Sequence, residues 1–119
     1  MSHSWQYIHV TRLGDIHLAV LGKHRFDENV VRMIADELDR LVAEEDCKKL
    51  ILSLSETETL LSVMIARLIH LRRRLLDRGG KLKLCDLSPE ATQVLESCQL
   101  LNFFDIAPNV AAAKKAFGR

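Results

Sequence analysis

The groups able to do chemistry here are His3, His9, His17, His24 and His70, Cys47, Cys85 and Cys98, and a run of hydroxyls and carboxylates ending at Ser62. No pair of histidines or cysteines has CxxC, HxxxH or HExxH spacing, so no metal site is expected, although His9 and His17 could meet across a hairpin. GxSxG, P-loop and GxGxxG patterns are absent, as is a cluster of acids after the first strand. We therefore expect no catalytic residues and no cofactor. Three scattered cysteines are odd in number and make no disulfide framework, which suits a reducing, cytoplasmic setting. Cys85 and Cys98 fall at apolar positions and read as core residues. Two features remain. One is Ser62 and the polar segment before it, Ser55-Glu56-Thr57-Glu58-Thr59. The other is a basic stripe, Arg67, His70, Arg74 and Arg78, flanked by Arg72 and Arg73. Arginines at this spacing give a solvated helix face or a docking surface for an acidic partner.

The elements that must position these groups can be read from periodicity. Leu50-Ile51-Leu52 opens a strand running to Leu54, and Leu61, Met64, Ile65, Leu68, Leu71 and Leu75 recur at helical spacing. Gly79-Gly80 stops that helix, and Lys81-Leu82-Lys83-Leu84 begins another strand. A strand–loop–helix–strand unit of this kind packs on a parallel sheet. Its loops at the carboxyl ends of the strands are the usual place for function. Ser62 lies at such a junction.

Upstream, Tyr7 to Leu13 and Ile16 to Val20 alternate across Gly14-Asp15, which predicts an antiparallel hairpin with His9 and His17 facing away from the core. Asp27 is a helix N-cap, followed by an apolar face of Val30, Val31, Ile34, Leu38, Leu41 and Val42; Asp36, Glu37, Asp39 and Arg40 fall on the other face. Downstream, Ser88-Pro89-Glu90 starts a helix whose inner face is Ala91, Val94, Leu95 and Cys98. Leu101 to Ile106 reads as a last edge strand or an extended segment. Pro108-Asn109 opens a final helix with Val110, Ala113 and Phe117 inward. The order is β-β-α-β-α-β-α-(β)-α, with no linker or repeat.

Bulk properties narrow the partners. The chain has 119 residues, 48% of them hydrophobic, and a net charge of +1. That suits one globular domain and gives no reason to expect nucleic acid or an anionic membrane. Leu60 to Leu76 is apolar-rich but broken by Arg67, His70 and Arg72-Arg73-Arg74, so membrane insertion is not expected. The first residues, MSHSWQYIHV, lack the basic flank and long apolar core of a secretory signal.

This order, with Gly22 after the second strand, KLILSL, LRRRLLDRGGKLKLCDLSPEATQVLESCQL and the terminal AAAKKAF, resembles the STAS family, whose name joins sulfate transporters with anti-sigma-factor antagonists. The resemblance implies an α/β fold, a single STAS-like domain over residues 1–119. Its mixed sheet would have four or five strands with an N-terminal hairpin and helices packed on it. The family's bacterial regulators bind an anti-sigma factor that is also a Ser/Thr kinase, and phosphorylation of a serine at the start of the second helix switches them off. The family pattern there, Asp-Ser-(Ser/Thr)-Gly-Leu-Gly, falls on Leu61-Ser62-Val63-Met64-Ile65-Ala66. Ser62 takes the acceptor position, Leu61 stands for the Asp, and Met64 and Ala66 stand for the glycines.

The resemblance thus implies a binder of a kinase-like anti-sigma factor, docking through residues 56–67 with Ser62 as the switch. Glu56, Thr57, Glu58, Leu61, Val63, Met64 and Arg67 would form the contact surface. Thr57 and Thr59 are secondary acceptors, and Leu60, Leu61, Val63 and Met64 would supply apolar contact if exposed. Ser62 also has a bland reading, as an N-cap or first-turn residue. The altered motif motivates a rival, an unphosphorylated interaction module of the same fold. Such a chain would be a scaffold, including a homodimer, or a transporter-associated subunit.

Overall fold

In the computed structural model, which describes residues 5–23, 27–57 and 60–118, two connection rules shape the architecture. Strand β1 (Ile8–Leu13) turns into β2 (Ile16–Leu21) through Gly14-Asp15. Gly14 supplies the positive φ, 66°, that a two-residue hairpin loop needs at its first position. Helix α1 (Glu28–Glu44), β3 (Lys49–Ser53), α2 (Ser62–Asp77), β4 (Lys81–Cys85), α3 (Pro89–Ser97), β5 (Asp105–Ala107) and α4 (Val110–Phe117) follow. The five strands lie side by side in chain order, β1 antiparallel to β2 and the rest parallel. Successive parallel crossovers of one hand, all stepping in one direction, place their helices on one face. The expected mixed sheet with an N-terminal hairpin is what forms.

That face carries the large core. Ala19, Leu21, Leu50, Leu52, Leu82 and Leu84 of the sheet pack under Ile34, Leu38 and Leu41 of α1, Met64, Leu68 and Leu75 of α2, and Leu95 of α3. Among the described residues the other face is covered by α4 alone, where Ile16, Ile51, Cys85 and Ala113 are buried beside Leu18, Val110 and Phe117. The eight-residue α4 is too short to cover the whole face.

Helix boundaries follow local chemistry. Asp27, Ser88 and Asn109 cap α1, α3 and α4, accepting from the N–H of Val30, Ala91 and Ala112 at 2.9, 3.0 and 2.8 Å. The stop of α2 is a Schellman motif, with Gly79 N–H donating to Leu76 O and Gly80 N–H to Leu75 O. Gly79 has φ 77°. At Gly80 a Cβ would lie 2.2 Å from the Lys48 carbonyl oxygen, so only glycine lets these backbones touch.

Several expectations are corrected. His17 does not face away from the core: it shares its side of β2 with Ala19 and Leu21 and is 2% exposed. Both faces of β2 are covered, so alternation alone could not say which was the interior. His9 pairs with Val20 and His17 with Arg12, so the two histidines are not neighbours in register. Glu37 is not on the solvent face of α1. It is buried, and its carboxylate accepts the N–H groups of Gln6, Tyr7 and Ile8 at 2.8, 2.9 and 3.2 Å, tying the start of β1 to α1. Cys98 is not in the core. It is the exposed C-cap of α3, whereas Cys85 and Cys47 are buried. The segment from 101 to 104 is a turn, with Phe104 buried, and the edge strand starts only at Asp105.

Candidate functional site

The site is the end of β3, the segment after it and the first turns of α2. Ser53, the last residue of β3, is 2% exposed and donates to the Asp86 carboxylate at 2.7 Å. Asp86 follows β4 with φ 59°, a left-handed conformation that aspartate tolerates better than most residues. Leu54 N–H donates to Cys85 O at 3.0 Å and Thr57 N–H to Leu54 O at 3.0 Å, so the chain leaves the sheet in a fixed turn. Burial pushes the Cys85 thiol up to about 12, with the neighbouring Asp86 carboxylate adding to the rise, so it stays protonated and inert at neutral pH.

Leu61 is the N-cap of α2. Its φ and ψ of −79° and 150° are those of a capping residue, but its side chain offers no acceptor. The first turn also lacks an acidic residue. Among the described residues, the α2 N-terminus therefore presents backbone N–H groups and the positive end of its dipole without a side-chain cap. Ser62 is the first helical residue and is exposed. It is a first-turn residue rather than the cap.

The predicted contact residues do not all gather there. Leu61 is 37% exposed, Val63 is half-buried, and Glu56 and Arg67 are exposed. Met64 is corrected: at 2% exposed it belongs to the core and cannot offer a docking contact. In a helix, residue 64 shares a face with Leu68, Leu71 and Leu75, and that face meets the sheet. Thr57 is corrected likewise. It is 2% exposed, with a hydroxyl that has no partner among the described residues, so a kinase could not reach it without local unfolding. Leu60 is also buried, while Glu58 and Thr59 lie outside the described residues.

Beside Ser62, Val63 and Arg67 line an open depression of about 330 Å³ together with Asp27, Glu28, Asn29 and Arg32 from the start of α1. Sequence reasoning missed this half of the surface. Its signal, acids and amides in a first helical turn, was spent on explaining the cap. Farther along α2 the basic stripe is partly neutralised. Arg74 lies 3.8 Å from Asp39 and Arg78 lies 3.4 Å from Asp46, both partners on or just beyond α1. Arg72 stacks over the Phe103 ring at 4.2 Å. The stripe is thus largely a helix–helix seam, with Arg67 nearest the site.

Among the described residues no helix is long and apolar enough to cross a membrane, and no group of three His, Cys, Asp or Glu is placed to hold a metal ion. No curated protein matches the chain in sequence. Solved structures do. A STAS-domain anti-sigma-factor antagonist from Planctomyces limnophilus is 22% identical, with 94% of this chain and 98% of that one covered and a TM-score of 0.82. An anti-sigma factor antagonist from Mycobacterium paratuberculosis is 18% identical over 94% and 93%, also at 0.82. A Moorella thermoacetica RsbS variant carrying a Ser-to-Glu substitution is 18% identical over 95% and 96%, at 0.80. At these identities the likeness establishes the shared fold. The STAS domain family profile matches residues 9–113, from the hairpin through α4, and by that match, with the sheet order and the helix layer it spans, the chain belongs to the STAS domain family.

Proposed function

We propose that this protein is a regulatory binder of the anti-sigma-factor-antagonist type. It docks on a kinase-type anti-sigma factor through the start of α2 and the adjoining depression, with Ser62 as its phosphorylation switch. The observation that carries this reading is the exposed Ser62 at an α2 N-terminus without a side-chain cap, next to exposed Leu61. Contact would come from Glu56, Leu61, Val63 and Arg67. The unmodified protein acts in the cytoplasm by binding rather than catalysis, sequestering its partner.

Phosphorylation would add about −1.5 to −2 charges at that helix end. Within the free domain the N–H groups and dipole accept such a charge. In the complex, the same charge must be desolvated against a packed surface, and like-charge or unpaired contacts there cost several kcal/mol. Modification therefore releases the partner while leaving the fold intact.

A second reading is favoured by Leu61, Met64 and Ala66, which replace the Asp and two glycines of the family pattern. With Met64 committed to the core, the chain would act as a constitutive interaction module, a self-associating one included. Incubation with ATP and the cognate kinase, followed by intact mass measurement on wild type and Ser62→Ala, separates the two. A single phosphate on wild type that is absent from the variant supports the switch. An unmodified wild type that still binds the partner supports the constitutive module.

A further inference from the structure

At the opposite end of the sheet from Ser62, the strands begin with lysines. Lys49 opens β3 and Lys81 opens β4, and the two are register partners on neighbouring parallel strands. Register partners, and residues two apart on one strand, point to the same side of the sheet, so Lys49, Lys81 and Lys83 all rise on the α4 face. There the short α4 leaves the sheet uncovered. Its last residues, Ala116 and Phe117, together with Lys48, Gly79 and Gly80, close an open basin of about 370 Å³ around the three lysines.

The positive charge of the basin is only partly compensated. Like charges directly opposite each other on adjacent strands are destabilising. Among the described residues no acidic side chain lines the space itself, although Asp15 and Asp105 reach two of its lysines. Lys49 is paired with Asp15 at 2.7 Å, and Lys83 lies 3.9 Å from Asp105 and 5.0 Å from the Phe117 ring centroid. Lys48 and Lys81 are exposed and have no side-chain partner among the described residues. At the end of α2 the Leu75 and Leu76 carbonyls accept from the Gly80 and Gly79 N–H groups.

Size and surroundings select the class of anion. Neighbouring strands are about 4.8 Å apart and residues i and i+2 about 6.6 Å apart, so the three ammonium groups can surround more than one phosphate. Pockets for small molecules start at about 300 Å³. Asp15 and Asp105 already pair with Lys49 and Lys83, so the unpaired positive charge is confined to Lys48 and Lys81. That suits a compact anion and is too little for an extended polyanion such as a nucleic acid duplex, or for a membrane surface.

We propose that this lysine basin binds a small anion carrying at least two linked phosphate groups. The site is independent of Ser62 and of any partner at α2.

The test is a titration of the whole protein with inorganic triphosphate at low salt, by calorimetry and by backbone amide NMR. We expect saturable one-to-one binding, with the largest shifts at Gly79, Gly80, Lys81 and Lys83 and little change at residues 61–67. Lys48→Gln with Lys81→Gln, both at exposed positions, should weaken binding at least about tenfold while the amide spectrum keeps its dispersion. Sulfate at matched ionic strength should bind at least about tenfold more weakly. Any one of four results overturns the proposal: no saturable binding, shifts centred on the start of α2, equal affinity for sulfate, or tighter binding to duplex DNA or phosphatidylserine vesicles than to triphosphate. The NMR map on the wild-type protein decides the case even if the double variant fails to fold.

Discussion

Leu61 gives the sharpest way to test the account of the site. Its backbone already has the extended conformation of Asp27, Ser88 and Asn109, each of which caps its helix through a side-chain oxygen. Only the oxygen is missing. Leu61→Asp should supply it, and the new carboxylate would accept a first-turn N–H, which stabilises by about 1 kcal/mol. Its charge at the positive end of α2 adds about 0.3–1 kcal/mol. Against this stands the loss of leucine packing. Full burial of a leucine stabilises by about 1.5–3 kcal/mol, and Leu61 is 37% exposed, so roughly 1–2 kcal/mol is forfeited. Wild type and Leu61→Asp should therefore be of similar stability. The informative comparison is with Leu61→Ala, which loses the packing and gains nothing. Aspartate should exceed alanine at this position by about 1–2 kcal/mol, or roughly 3–10 °C in Tm for a domain of this size. Urea denaturation monitored by circular dichroism measures the difference through the midpoint at constant slope. The gap should shrink when the pH falls below the aspartate range, because a protonated carboxyl is a weaker cap. Equal stabilities for Asp and Ala would refute the claim that α2 lacks a cap, and with it the view of the Ser62 surface as an open helix end.

Four other outcomes can be checked with the same protein. Glu37→Ala leaves three N–H groups at the start of β1 without their acceptor and should cost about 3–5 kcal/mol, with Glu37→Gln falling between it and wild type in urea denaturation. His17 has its pKa lowered, by burial first and then by the nearby Arg12 charge, with Glu45 opposing. Its unfolded form therefore binds protons more readily, and stability should fall as pH drops below the ordinary value of 6.5; His17→Gln should flatten that part of the stability–pH curve. Burial pushes the Cys47 thiol, like that of Cys85, up to about 12, while Cys98 is exposed, so a disulfide reagent should titrate one fast thiol in the native protein and three after unfolding. Ser62→Glu should leave the Tm within about 1 kcal/mol of wild type in stability terms while weakening partner binding at least about tenfold.

Elements are legible in the residues where the physics is local. Gly79-Gly80 requires left-handed backbone and close approach, Ser88-Pro89 requires a helix start, and Gly14-Asp15 requires a tight turn. Those needs are written in single residues and their neighbours, so element order was legible throughout. Interiors were harder. The alternation in β2 is real on both sides, because Ile16 is buried with Ala113 of α4 while His17 is buried on the side of Ala19 and Leu21, 3.4 Å from Glu45 at the end of α1, and a period of two does not say which side is roofed more heavily. Glu37 looks like a solvent residue by type. Its burial depends on the start of β1, some thirty residues away, arriving with three N–H groups to offer.

The same division runs through the functional surfaces. From the order of residues alone come the STAS topology, the hydroxyl of Ser62 at the head of α2 and the loss of the acid before it, because propensity, turn chemistry and capping act over a few residues. Three-dimensional packing alone decided that Met64 and Thr57 turn inward, that the start of α1 completes the depression beside Arg67, and that four lysines from two strand starts meet around an uncovered patch of sheet. Those facts depend on how far each helix reaches across its neighbours, a length and a rotation that no short stretch of sequence encodes.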